Sequence, residues 1–188
     1  GDVIAVDAAR PWAVQLTNRL LWPVGIAVLD RDAVKVRFST IAESPISPFH
    51  ATINMRLSLV SRAMGRAYLA FCPAAERRLL LEMLVSSTDP EDGLAKNASR
   101  FSALLQTIRR QGFAERDPMV QPHSSGTIAV PIFSQNRVLA TICMTYFTSA
   151  VSRSEAVKRF VGPLQATARN IEESVVLLQV DAHPNDLS

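Results

Sequence analysis

Three short polar side chains fall where strand alternation brings them together. In the run 127–133, Ile128, Val130 and Ile132 alternate with Thr127, Ala129 and Pro131; in 137–147, Ile142, Met144 and Tyr146 alternate with Thr141, Cys143 and Thr145. Successive strand side chains point to opposite faces, so Thr127, Cys143 and Thr145 share a mildly polar face, while the apolar set faces a second layer. Two hydroxyls and a thiol can orient a small polar ligand. For Cys143 the plainer role is a small buried core residue. Catalysis is not expected, because the chain has no Gly-x-Ser-x-Gly elbow, phosphate loop, dinucleotide fingerprint or metal motif, and Cys143 has no His near it in sequence. The enzymatic alternative is a small hydrolase or transferase whose Ser or Cys nucleophile meets its base only in space. His50, His123 and His183 fall in loops or the tail without metal-ligand spacing and read as surface residues. No metal and no cofactor are expected.

Composition narrows the class further. A chain of 188 residues with 48% hydrophobic and 20% charged residues buries a substantial core as one soluble domain. The formal charge of +3 is spread along the chain; its closest clusters, Arg77-Arg78 and Arg109-Arg110, lie in amphipathic stretches and read as solvated helix faces. Direct contact with nucleic acid is therefore not expected. Cys72 and Cys143 are the two cysteines, far apart in sequence, which suits a reducing compartment. No apolar run approaches a bilayer span and the start Gly1-Asp2-Val3 lacks a signal pattern. A cytoplasmic protein with no membrane contact is the expectation, and the opening Gly is read as a trimmed start.

The elements that must position these groups follow from periodicity. Residues 3–21 carry Ile4, Ala8, Trp12, Leu16 and Leu20 at helical spacing, with a break expected near Pro11. The runs 24–29 and 33–40 predict a hairpin about Asp30-Arg31-Asp32, and 41–55, with Pro45 and Pro48, a loop. Ser61 is placed as the cap of a helix running to Phe71, and Pro73 opens the next, with Leu79, Leu80, Met83 and Leu84 as its apolar stripe. A third helix over 95–111 buries Phe101, Leu104, Leu105 and Ile108 and stops at Gly112. A second hairpin joins 127–133 to 137–147 through Ser134-Gln135-Asn136. Ser152-Arg153-Ser154-Glu155 forms a capping box before a seam of Val157, Val161, Leu164, Ala168, Ile171, Val175 and Leu178, which Pro163 should bend. The class is α+β, with the terminal helices covering one sheet face.

Particular residues also resemble a known family. Arg56-Leu57-Ser58-Leu59 followed by Gly65-Arg66-Ala67-Tyr68-Leu69-Ala70-Phe71 is similar to the signature of IclR-family effector domains, where Leu-Pro-Leu precedes Gly-Lys-Ala-x-Leu-Ala. Gly112-Phe113-Ala114 resembles that family's Gly-Tyr-x turn, and Ile128-Ala129-Val130-Pro131-Ile132-Phe133 its Ala-x-Pro-Ile-Phe strand. The matches run in the family's order across nearly the whole chain. Trp22-Pro23, Leu29-Asp30, the pattern from Asp32-Ala33 to Arg37, and Leu69-Ala70-Phe71-Cys72-Pro73 further resemble activators of phenylpropionate breakdown, the MhpR type. Ser58 stands where Pro is usual, Arg66 where Lys is usual, and 117–123 replaces an acidic loop.

The resemblance implies a GAF-like antiparallel sheet, with inserted helices and loops closing a ligand pocket on the face opposite the terminal helices. It implies one effector-binding domain over 1–188, with a winged helix-turn-helix upstream of Gly1 making the operator contacts, and homo-oligomers, dimer or tetramer. The effector would be a small organic acid, aromatic if the subgroup holds. Effector contacts are implied at the strand positions Thr127, Cys143 and Thr145, at the helix start Arg62-Ala63-Met64 and at the loop position Arg116. A helix start exposes unpaired N–H groups and the positive end of its dipole, which favours a carboxylate. An Arg fork is the best partner for a buried carboxylate, and Arg37, Arg62 and Arg116 are the candidates, Arg37 because it alternates with Val36 and Phe38. The plain role of each Arg is a solvated surface charge, and that of Met64 is packing; Met64, Ile53 and Phe49 could also pack on an apolar ring. The remaining alternative is an oligomerisation module without ligand.

Overall fold

Alternating Val, Ile and Ala residues build one sheet that feeds two cores. The computed structural model describes residues 2–46 and 53–182. In chain order the elements are α1 (Asp2–Leu20), β1 (Val24–Asp30), β2 (Ala33–Ser39), β3 (Arg56–Ser58), α2 (Ala63–Phe71), α3 (Ala74–Val85), α4 (Ala98–Gln111), β4 (Ala114–Glu115), β5 (Ser125–Ser134), β6 (Arg137–Phe147) and α5 (Arg153–Ala182). The strands pair antiparallel in the order β3-β2-β1-β6-β5-β4. Val24, Ile26, Val28, Ile128, Val130, Ile132, Ile142, Met144 and Tyr146 face α1 and α5, whose mutual packing includes a bond from Trp12 Nε1 to Ser174 Oγ at 2.9 Å. Their neighbours Ala27, Ala129 and Cys143 join Val36 in a second core under α2, α3 and α4. This is the α+β sandwich that the sequence predicts, the terminal helices on one face and the inserted ones on the other.

Local chemistry explains most element ends. Gln135 and Asn136 both hold positive φ, 50° and 66°, the geometry of a primed turn whose twist matches its strands. Gly112 closes α4 at φ 86° in the left-handed conformation that glycine adopts without cost. Glu155 N donates to Ser152 Oγ at the start of α5, one half of the capping box. Phe101, Leu105 and Ile108, spaced one helical turn apart, are fully buried, each such side chain stabilising by about 2 kcal/mol.

Several expectations need correction. α1 runs without a break through Pro11; Pro11 and Asp7 are both exposed, so the Asp7 carbonyl that loses its N–H donor meets water. Ser61 does not cap α2: its hydroxyl donates to Glu91 Oε1 at 2.8 Å, and Arg62 takes the cap position in extended geometry. On α3 only Leu80 and Leu84 are buried, whereas Leu79 is 63% and Met83 49% exposed. Leu178 is likewise exposed, and the seam of α5 is completed by Ala156 and Phe160 instead. α4 starts at Ala98, after a 3-10 turn over Pro90–Lys96. The short edge strands β3 and β4 carry no periodic signal of their own. Phe49, His50 and His183 lie outside the described residues.

Candidate functional site

Two rows of residues across the sheet make the floor of a cavity. Gly25 pairs with Ser39 on one side and Cys143 on the other. One step along, Thr145 pairs with Thr127 and its N–H donates to the Pro23 carbonyl at 3.1 Å. Above them the start of α2 supplies Arg62, Ala63 and Met64. Val36, Ile41, Met55 and Leu57 line the β2–β3 side, and Arg116, Pro122 and Ser125 the β5–β4 side; the half-open cavity between them measures about 240 Å³. Its two ends differ in chemistry: hydroxyls and guanidinium groups gather over β5 and β6, while aliphatic side chains and Met sulfur line the other end.

The polar end is held in place by bonds within the chain. The hydroxyls of Thr127 and Thr145 share a hydrogen bond of 3.0 Å. Arg116 donates through Nη2 to the carbonyl of Pro122 at 2.8 Å, to the carbonyl of Ser125 and to Ser125 Oγ at 3.1 Å. Burial, and next the charge of Arg62, push its guanidinium below the ordinary arginine range. Arg62 forms a two-pronged pair with Glu91, at 2.8 and 3.0 Å, and this pairing holds the Glu91 carboxyl below its usual range. α2 itself starts with no acidic residue in its first turn and no side-chain cap, so its first N–H groups have no side-chain acceptor. An incoming carboxylate would offset both the helix end and the repulsion between the two arginines.

Ser58 and Arg66, two of the three departures noted in the sequence, belong to one network at the entry to α2. Ser58 Oγ donates to Asp92 Oδ1 and accepts from the N–H groups of Val60 and Ser61. Arg66, 6% exposed, donates from Nε to the Val60 carbonyl at 2.7 Å, from Nη1 to the Glu115 carbonyl at 3.2 Å and from Nη2 to Asp117 Oδ2 at 3.4 Å. It thereby fixes the residues on both sides of Arg116 and the segment leading to Arg62. The Asp117 N–H bond to the Ser61 carbonyl, 2.8 Å, closes the same loop pair.

Seven of the eight positions singled out in the sequence line this cavity: Arg62, Ala63, Met64, Arg116, Thr127, Cys143 and Thr145. Arg37 does not. Ile26 pairs with Phe38 and Ala27 with Val36, so Arg37 occupies a bulge, and its side chain is exposed while Val36 takes the cavity face. Ile53 is 47% exposed and outside the lining. Gly25, Ser39, Met55, Leu57 and Ser125 were not anticipated. A glycine within an apolar strand was the available signal for the first; the others depend on long-range pairing.

Comparison with known proteins adds the family. The profile described as the bacterial transcriptional regulator IclR C-terminal region matches residues 4–173. The chain belongs to the IclR family. Among curated relatives, this IclR domain is 28% identical to the HTH-type transcriptional regulator XynR of Escherichia coli over 157 residues, covering 82% of the chain and 61% of XynR. It is 28% identical to the Pca regulon regulatory protein of Pseudomonas putida over 175 residues, covering 87% of the chain and 56% of that protein. The chain thus spans somewhat over half the length of these relatives. Solved structures sharing the fold include the Thermotoga maritima IclR, with a TM-score of 0.74 at 20% identity over 91% of this chain and 68% of that one. Another is an IclR homolog from Microbacterium hydrocarbonoxydans complexed with 4-hydroxybenzoate, with a TM-score of 0.72 at 20% identity over 94% of this chain and 70% of that one.

The family is one of regulators, not enzymes, which sets aside the hydrolase alternative. The thiol chemistry agrees: burial raises the Cys143 pKa to about 11, leaving almost no thiolate at neutral pH. Among the described residues no group of three or more His, Cys, Asp or Glu could hold a metal ion, and no helix is long and apolar enough to cross a membrane.

Proposed function

We propose that this IclR domain senses a small aromatic carboxylic acid and that occupancy of its cavity changes operator binding by a winged helix-turn-helix region of the full-length protein. The observation that carries the reading is the two-ended cavity. At its polar end, the uncapped start of α2, the Arg62 and Arg116 side chains and the Thr127–Thr145 hydroxyl pair supply donors for a carboxylate. At its apolar end, Val36, Met55, Leu57 and Met64 suit a ring, and Met sulfur packs favourably on aromatic faces. The volume lies just below the roughly 300–1,000 Å³ of sites for drug-sized ligands, so a single-ring acid is the fitting size. A P. putida relative named for the Pca regulon and a fold neighbour holding 4-hydroxybenzoate support the class; a phenylpropionate-type acid belongs to it as well.

Signalling then requires that the acid bind two domain arrangements unequally. Assembly into dimers or tetramers in the cytoplasm completes the proposal. Isothermal titration of benzoate and 4-hydroxybenzoate tests it directly. Arg116→Ala and Thr145→Ala should each weaken binding, by about tenfold or more for the arginine, while melting temperature stays near that of wild type for Thr145→Ala. Unchanged affinity in both variants refutes the placement of the carboxylate.

A further inference from the structure

Gly25 is the second residue of β1, on the cavity floor, and the protein's own contacts only partly account for its lack of a side chain. Glycine inside a strand weakens it and marks a bulge, a bend or a close approach by another group. No positive φ demands glycine here, since Gly112 is the glycine with that geometry. Gly65 and Gly126 answer to close contacts, a Cβ at the first sitting 2.0 Å from the Ser58 carbonyl oxygen and at the second 2.5 Å from the Tyr146 ring, while Gly93 and Gly162, away from the cavity, have open space. At Gly25 the nearest atoms are the Cys143 Sγ at 3.2 Å and the Met64 Cε at 3.6 Å. The tight contact is with the buried Cys143 thiol, which must give by a few tenths of an ångström to admit an alanine, while the methionine lies at ordinary van der Waals distance. No backbone atom crowds the position closely, and Gly25 itself lines the cavity.

We infer that Gly25 is the specificity-determining residue of the effector site, leaving a notch, rimmed by Cys143 and Met64, that seats the ring of the acid. The inference rests on the acid-sensing reading above and assigns the ring its place within that site. The geometry suits one ring: Cys143, opposite Gly25, and Thr145, at the anion end, are two residues apart on β6, roughly 7 Å along the strand. A carboxylate held at Thr145, Thr127 and Arg116 thus puts the attached ring over the Gly25 row. A methyl group at position 25 fills the notch without touching any donor of the anion end.

The test is titration of wild type, Gly25→Ala and Gly25→Ala/Met64→Ala with benzoate, 4-hydroxybenzoate and propionate, with thermal unfolding of each protein alongside. Wild type is expected to bind the benzoates. Gly25→Ala should melt within a few degrees of wild type, the lower freedom of the unfolded chain offsetting the shift of Cys143, yet bind the benzoates about tenfold to a hundredfold more weakly. Removing the end of Met64 should reopen the notch and recover part of the loss. Equal benzoate affinity in wild type and Gly25→Ala, or failure of Gly25→Ala to fold, overturns the assignment of Gly25 alone. Binding of propionate but of neither benzoate by wild type overturns the ring seat and leaves the anion end standing. Binding of no acid at all removes the sensor reading and this inference with it.

Discussion

Replacing Arg66 by Met tests whether one buried guanidinium holds both cationic segments of the cavity in place. Met keeps much of the aliphatic volume and removes every donor. Two charged hydrogen bonds to carbonyls, at 2.7 Å to Val60 and 3.2 Å to Glu115, are lost, at about 1.5–3 kcal/mol each. The Asp117 contact at 3.4 Å is longer, and its carboxylate is partly exposed, so it adds less. Against this, the cost of burying the guanidinium disappears, the same burial that pushes its pKa down. The net expectation is a loss of about 3 kcal/mol, or roughly 6–12 °C in melting temperature for a domain of this size. Urea unfolding read by circular dichroism gives the value, with an unchanged m-value showing that the same surface is exposed. Arg66→Lys, the residue usual in the family, keeps the charge but not the fork and should lose about half as much. Measured at a temperature where the protein is fully folded, both variants should also bind benzoate more weakly, since Glu115 and Asp117 flank Arg116. A destabilisation below about 1 kcal/mol for Arg66→Met would refute the argument.

Other expectations follow from single groups. The Thr141 hydroxyl is buried without a hydrogen-bond partner, so Thr141→Val should raise stability by about 1 kcal/mol in urea titrations; a loss would mean that the hydroxyl has a partner. Burial raises the pKa of Cys72 and of Cys143 to about 11, so neither should react with N-ethylmaleimide at pH 7.5 until the chain is unfolded, as mass spectrometry can show. Because the Arg62 pair lowers the Glu91 pKa from an ordinary 4.5, its contribution is present in full above that pH and is lost as pH falls through the lower folded value. Glu91→Gln should therefore flatten the acid side of the stability curve below pH 4.5 and leave the alkaline side unchanged.

Most of the architecture was written in local pattern. Strand alternation assigned Ile128, Val130, Ile132, Ile142, Met144 and Tyr146 to the face under α1 and α5, and Thr127, Cys143 and Thr145 to the other, because one hairpin fixes the register for every residue in it. Where the sequence misled, a distant partner decided. Ser61 had the chemistry of a cap, but Glu91, thirty positions away, took its hydroxyl. Arg37 alternated correctly with its neighbours until a bulge displaced it. Met83 and Leu79 matched the helical period, yet among the described residues they stay largely exposed. Arg66 stood out as a departure from pattern, but its three acceptors come from segments that only the fold brings together. Gly25 was visible from the start and had no meaning until its neighbours were known.

The division of β6 between two layers has a mechanical result. Cys143 and Thr145 hang on one side of a backbone whose other side carries Met144 and Tyr146, and Tyr146 lies 5.8 Å, centroid to centroid, from Phe160 of α5. A push on the hydroxyls reaches that helix through a single peptide unit. From Phe160 to the last turn, α5 extends about 33 Å at 1.5 Å per residue. A tilt of about 5° at that point would correspond to about 3 Å at the tip, and the packing of Leu164, Ala168, Ile171 and Val175 against the sheet and α1 is what would have to yield for it.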